Sequence, residues 1–148
     1  MKKLILMLLF VGGNIMASED GKYYWLLEEV SWSFAQEKSA DINAFYDSLE
    51  IYNKDIEVEL PDYIGAGLGF NEVIIKYSYV ELIDNNWTTV RNEIQLKSDY
   101  ESFSELELLY QLHNNLQIHY MQQDKHYFEG LELQEDKKKL IYELMLGS

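Results

Sequence analysis

The sequence predicts an α+β fold of two layers: a twisted antiparallel sheet of about five to six strands with one main helix packed on it. Two patterns carry this. Glu72 to Ile83 and Trp87 to Leu96 alternate apolar and polar residues with the period of a strand, whereas Leu109, Leu112, Leu116 and Tyr120 recur at helical spacing. Composition agrees. The chain has 148 residues, 47% of them hydrophobic and 14% aromatic, which is too apolar for a disordered chain and the size of one domain. The predicted boundaries are a signal peptide over 1–17 and a single α+β domain over 18–148.

The opening segment is positive at Lys2-Lys3, then apolar without a break from Leu4 to Val11. Ile15 and Ala17 follow at the −3 and −1 positions of a cleavage site before Ser18, completing the layout of a secretory signal peptide. The apolar run is far below the ~20 residues that span a bilayer, so no stable membrane anchor is expected. The predicted location is periplasmic or secreted. If Met16 is instead the true start, the location is cytoplasmic.

Next, Tyr23 to Phe34 alternates and reads as one long strand, interrupted at Glu28. Ser39 to Tyr52 reads as a helix, with Ile42, Phe45, Tyr46 and Leu49 on one face and Ser39 as N-cap. Ile56, Val58 and Leu60 alternate with acids in a short strand ended by Pro61. Gly65, Gly67 and Gly69 then break regular structure. Asp84-Asn85-Asn86 supplies the turn of a hairpin between the two long strands. Ser102 or Ser104 caps the main helix, which runs to about Gln122, and Tyr127–Leu133 and Leu140–Leu146 close the sheet.

Several function classes are excluded at this level. Without Cys there is no disulfide framework, thiolate metal site or Cys nucleophile. Twelve Lys and Arg against 26 Asp and Glu give a formal charge of −14, which opposes binding to nucleic-acid phosphates and suits a basic protein partner. The Gly65/Gly67/Gly69 spacing lacks the Lys-Ser/Thr of a phosphate loop and precedes a strand. The histidines, His113, His119 and His126, do not form a chelating pair, because His113 and His119 lie about 120° apart around a helix. His113 and His119 are expected to flank the buried stripe with their rings hydrogen-bonded. No metal, cofactor or catalytic residue is predicted.

Two segments concentrate functional groups. Asp99, Tyr100, Glu101, Phe103 and Glu105 combine acids with aromatics at the start of the main helix; Phe103 is read as an exposed anchor, the competing view being that it staples the helix N-terminus. Asp124, His126 and Glu129 lie where that helix hands over to the next strand. Carboxylates steer a basic partner from a distance and aromatics supply contact energy after docking. The expectation is a small exported acidic binding protein whose general profile resembles bacterial immunity proteins, inhibitors of a basic toxin or enzyme. The alternatives are a periplasmic carrier of a small ligand and a small enzyme using Asp124, His126 and Glu129.

The leader generates a direct prediction. Expression in a bacterium should yield a periplasmic chain beginning near Ser18, read by intact mass; a cytosolic product that keeps Met1, or starts at Met16, overturns it.

Overall fold

A computed structural model describes residues 24–135 and 138–148. The predicted signal peptide, and Asp136 and Lys137 of the predicted final turn, lie outside the described residues. The architecture is α+β, with one open six-stranded sheet and two helices. In chain order the elements are β1 (Trp25–Leu26), β2 (Trp32–Ser33), α1 (Ile42–Asp55), β3 (Glu72–Ile83), β4 (Asn86–Lys97), α2 (Glu105–Tyr120), β5 (Tyr127–Glu135) and β6 (Ile141–Gly147). The sheet runs β1-β5-β6-β3-β4, with β2 also paired to β5. All pairings are antiparallel except β3 with β6, which run parallel over Ile74–Lys76.

The hairpin forms where its turn chemistry places it. Asp84 and Asn85 both take positive φ, 50° and 64°, the two-residue turn that matches the twist of its strands. Its register runs unbroken from Ile83↔Asn86 to Glu72↔Lys97. On its inner face Val73, Ile75, Tyr77 and Leu96 are buried.

Helix α2 starts at Ser104, whose hydroxyl accepts the Glu107 N–H at 3.0 Å. Its buried positions are 105, 108, 109, 112, 113, 116, 117 and 120, one continuous stripe at helical spacing. That stripe shares a core with Val73, Ile75, Phe128, Leu131 and Tyr142 of the sheet. Tyr120 also donates its hydroxyl to the Ser78 carbonyl at 2.7 Å. Helix α1 is capped by Asp41 rather than Ser39, with the Ala44 N–H donated to its carboxylate at 2.9 Å. Phe45 and Leu49 of α1 are fully buried, and Phe45 meets Tyr110 of α2 and Trp32 of β2.

Two strand expectations are corrected. Residues 23–34 do not form one strand within the described part. Leu27 takes φ 60°, Val30 donates back to the Leu27 carbonyl, and the chain turns between β1 and β2. The partner strand accommodates this turn at Gly130, at φ 130°, where an added Cβ would stand 3.1 Å from the Leu26 carbonyl oxygen. Residues 56–60 are not a strand either. Glu57 takes φ 60° and donates to the Lys54 carbonyl, and Val58 donates to the Asn53 carbonyl at 2.8 Å. This is the paired C-terminal closure of α1, in which a left-handed residue reverses the chain. The alternation at 55–60 therefore reflects one side of a helix stop.

Leu112 and Leu116 are 0% and 1% exposed, in the middle of the α2 stripe. Leu112→Ala should cost about 2–5 kcal/mol, measured by denaturant unfolding. An unchanged midpoint would contradict the packing of α2 at that position.

Candidate functional site

The segment from Glu57 to Gly67 links α1 to β3 and lies against the start of α2. Leu106 donates its N–H to the Ile64 carbonyl, Leu68 donates to the Phe103 carbonyl, and Phe103 donates to the Phe70 carbonyl. These bonds hold the segment between two open clefts. One, about 570 Å³, lies against α1 and is lined by Tyr46, Glu50, Lys54, Glu57, Glu59 and Asp62, among others. The second, about 430 Å³, includes Ile42, Gly65, Gly67, Asp99, Tyr100 and Glu107 in its walls. Every acid lining the first cleft is solvent-exposed, and Lys54 is the one base among its lining residues. Tyr63 and Tyr100 are 40% and 74% exposed, so this face joins carboxylates to accessible aromatic rings.

The predicted segment 99–105 divides in two. Asp99, Tyr100 and Glu101 are exposed, and the first two line the second cleft. Phe103 is 0% exposed, which corrects its reading as an accessible anchor. It precedes the Ser104 cap and is buried with Leu108, so it staples the first turn of α2 to the core. Glu105 is also buried, at 6% exposure.

Glu105 is the most perturbed carboxyl among the described residues. It lines a small, partly enclosed cavity of about 10 Å³ with Trp25, Leu27, Glu28, Glu29, Val30, Pro61 and Tyr63. Its Oε2 is buried and has no hydrogen-bond partner. The neighbouring Glu29 carboxylate instead accepts the Tyr63 hydroxyl. Burial, with the Glu29 charge adding to it, pushes the Glu105 carboxyl up to about 7. Sequence reasoning placed Glu105 with the exposed acids; its i, i+3 relation to Leu108 was the available sign that it faces inward.

Asp124, His126 and Glu129 are not joined by hydrogen bonds among the described residues. The His126 Nδ1 pairs with the Ser33 hydroxyl at 2.8 Å, and His126 stacks beside Tyr127. Asp124 and Glu129 are exposed, with the Glu129 carboxylate lying over Gly147. The other histidines are structural. His113 is fully buried, accepts the Trp32 indole N–H at Nδ1 (3.0 Å) and reaches the Glu37 carbonyl from Nε2 (2.9 Å). His119, expected to be hydrogen-bonded, instead stacks on Tyr79 with ring centres 4.3 Å apart. Among the described residues no group of three or more His, Asp or Glu side chains is placed to hold a metal. No helix there is long and apolar enough to cross a membrane.

The chain defines an acidic α+β protein with an open, acid-and-tyrosine face. Compared with known proteins, it matches no family model, no curated protein and no solved structure.

Glu105 sets a pH dependence of defined sign. The folded chain holds this proton up to about 7, whereas an unperturbed glutamate releases it near 4.5. Between those values the fold carries more protons than the unfolded chain, so this group lowers stability as pH rises through the window. Glu105→Gln keeps the shape and removes the charge. Its gain over the parent should be small near pH 4.5 and on the order of 2–3 kcal/mol at pH 8, read from urea unfolding. Parallel stability profiles for the two proteins would show that Glu105 is not the titrating group.

Proposed function

We propose that this chain is an exported binding protein that inhibits a basic protein partner by docking the acidic face around segment 57–67 onto it. One observation supports this above others. Two open clefts flank a single segment, and their walls carry Glu50, Glu57, Glu59, Asp62, Asp99 and Glu107. Like-charged side chains on one face repel each other in the free protein, and a cationic partner removes that cost while gaining Coulomb energy. Tyr63 and Tyr100 supply large amphipathic rings that lose little side-chain freedom on contact.

The character of the clefts favours this reading over a small-ligand carrier. A carrier surrounds its ligand with an enclosed, mostly apolar cavity of several hundred Å³. Here the clefts of about 570 and 430 Å³ are open and carry acids in their walls, and the partly enclosed cavity at Glu105 measures about 10 Å³, room for about one water molecule.

Affinity capture from the producing organism, followed by surface kinetics, tests the proposal. Association should slow markedly as ionic strength rises from 0.01 M to 0.15 M and the screening length falls from about 30 Å to about 8 Å. Glu57→Lys with Glu59→Lys, or Asp99→Lys with Glu101→Lys, should lower the on-rate by roughly tenfold or more at low salt. Tyr100→Ala should chiefly raise the off-rate. Retention of no basic partner, or binding indifferent to salt, overturns the proposal.

A further inference from the structure

 Strand β4 is the terminal strand of the sheet, twelve residues long, and nine of its residues are exposed; Val90 and Ile94 are half-buried and Leu96 is buried. Such an edge presents unpaired N–H and C=O groups to solvent.

The phase of those groups follows from the turn. Ile83↔Asn86 closes a two-residue turn and is therefore a hydrogen-bonded pair, so every second pair up the hairpin is too. Asn86, Thr88, Val90, Asn92, Ile94 and Leu96 direct their backbone groups to β3. Trp87, Thr89, Arg91, Glu93, Gln95 and Lys97 direct theirs outward. Side-chain contacts agree with this phase. Val80, opposite Thr89, points away from β4, and Gln123 bonds both its N–H and its C=O. The outward Glu93 N–H is taken by the Asn92 side chain, and the outward Lys97 carbonyl by Gln111.

Two copies of β4 pair antiparallel only if outward residues face outward residues. Two such registers use nearly the whole strand. With the twofold axis at Arg91, two guanidinium groups stand directly opposite each other. With the axis at Asn92, Arg91 faces Glu93 of the second copy twice over, Thr89 faces Gln95, and Trp87 faces Lys97. On the other side of the sheet Val90 then faces Ile94. Opposite charges and apolar pairs directly across a ladder stabilise it, and like charges destabilise it.

Charge also selects a second copy as the occupant. The chain carries −14 overall, so most of its faces repel another copy. The strand Asn86–Lys97 holds two bases, Arg91 and Lys97, and one acid, Glu93. Trp87 beside it is 76% exposed and Leu82, its cross-strand neighbour, 52%. We propose that β4 is the interface of a twofold homodimer, paired antiparallel about Asn92, that joins two sheets into one continuous sheet. This inference is independent of the acidic face.

The sequence contains no Cys, so single engineered thiols report the register without background. Asn92 would face its own copy in a non-hydrogen-bonded pair, with Cα atoms roughly 4.5 Å apart, within disulfide reach. Under mild oxidation Asn92→Cys should give a covalent dimer and Arg91→Cys should not; the reverse result overturns the register. Light scattering should give a mass twice that of the single chain as purified. Thr89→Pro removes an outward N–H that the single chain does not use, so it should keep the circular-dichroism spectrum and halve the mass. Arg91→Glu should weaken the dimer, and adding Glu93→Arg should restore it. A parent protein that stays monomeric at its highest soluble concentration, or a Thr89→Pro variant that folds and stays dimeric, overturns the proposal.

Discussion

The buried imidazole of His113 is the contact on which the helical layer depends. Its Nδ1 accepts the Trp32 indole N–H, which leaves Nε2 as the donor to the Glu37 carbonyl and selects one neutral tautomer. The ring packs among Trp32, Phe34 and Phe45. It thereby ties α2 to β2, to the chain entering α1 and to α1 itself. Burial lowers its pKa by desolvating the charged ring, outweighing the Glu37 carbonyl contact, which favours the charged form. This group therefore favours the fold above its unfolded pKa and loses that contribution as pH falls, opposite in sign to Glu105.

A second device serves backbone groups that lack a strand partner. Three side-chain amides each take both the N–H and the C=O of one residue. Asn53 does so at Ser31, Asn114 at Ser39 and Gln123 at Val80. Each amide stands in for a neighbouring strand: at Ser31 just before β2, at Ser39 between β2 and α1, and at Val80 on the side of β3 beyond its pairing with β6. Asn53 is 1% exposed and also donates to the Leu49 carbonyl, locking the last turns of α1 to the β1–β2 turn. The Asn53 contact thereby fixes the turn between β1 and β2, each of which is only two residues long.

Charge is distributed unevenly over this frame. The face around segment 57–67 gathers acids on surfaces open to solvent, and Lys97–Glu72 is an exposed ion pair on the hairpin at 3.3 Å. Exposed pairs of that kind add little stability. The buried carboxyl of Glu105 opposes folding when charged, and the short Tyr63–Glu29 contact beside it holds segment 57–67 near the β1–β2 turn. The acidic face and the destabilised carboxyl thus adjoin the same segment.

The α+β class, the long hairpin with its Asp84-Asn85 turn, a helix cap at Ser102 or Ser104 and the α2 stripe were legible in the sequence, because each is set by periodicity or turn chemistry within a few residues; the structure chose Ser104 as the cap. The split of residues 23–34 into β1 and β2 was not, since it depends on the close approach to Gly130 of a strand a hundred residues away. The same holds for residues 55–60, where an alternating pattern is shared by a strand and by the closure of a helix. Of the candidate site, Asp99, Tyr100 and Glu101 were placed correctly at the surface, whereas Phe103 and Glu105 went into the core. The sequence by itself determined which residue types and periods were present. Only the tertiary structure decided which of the acids and aromatics face water, because burial is a property of what packs across a residue and not of its neighbours along the chain.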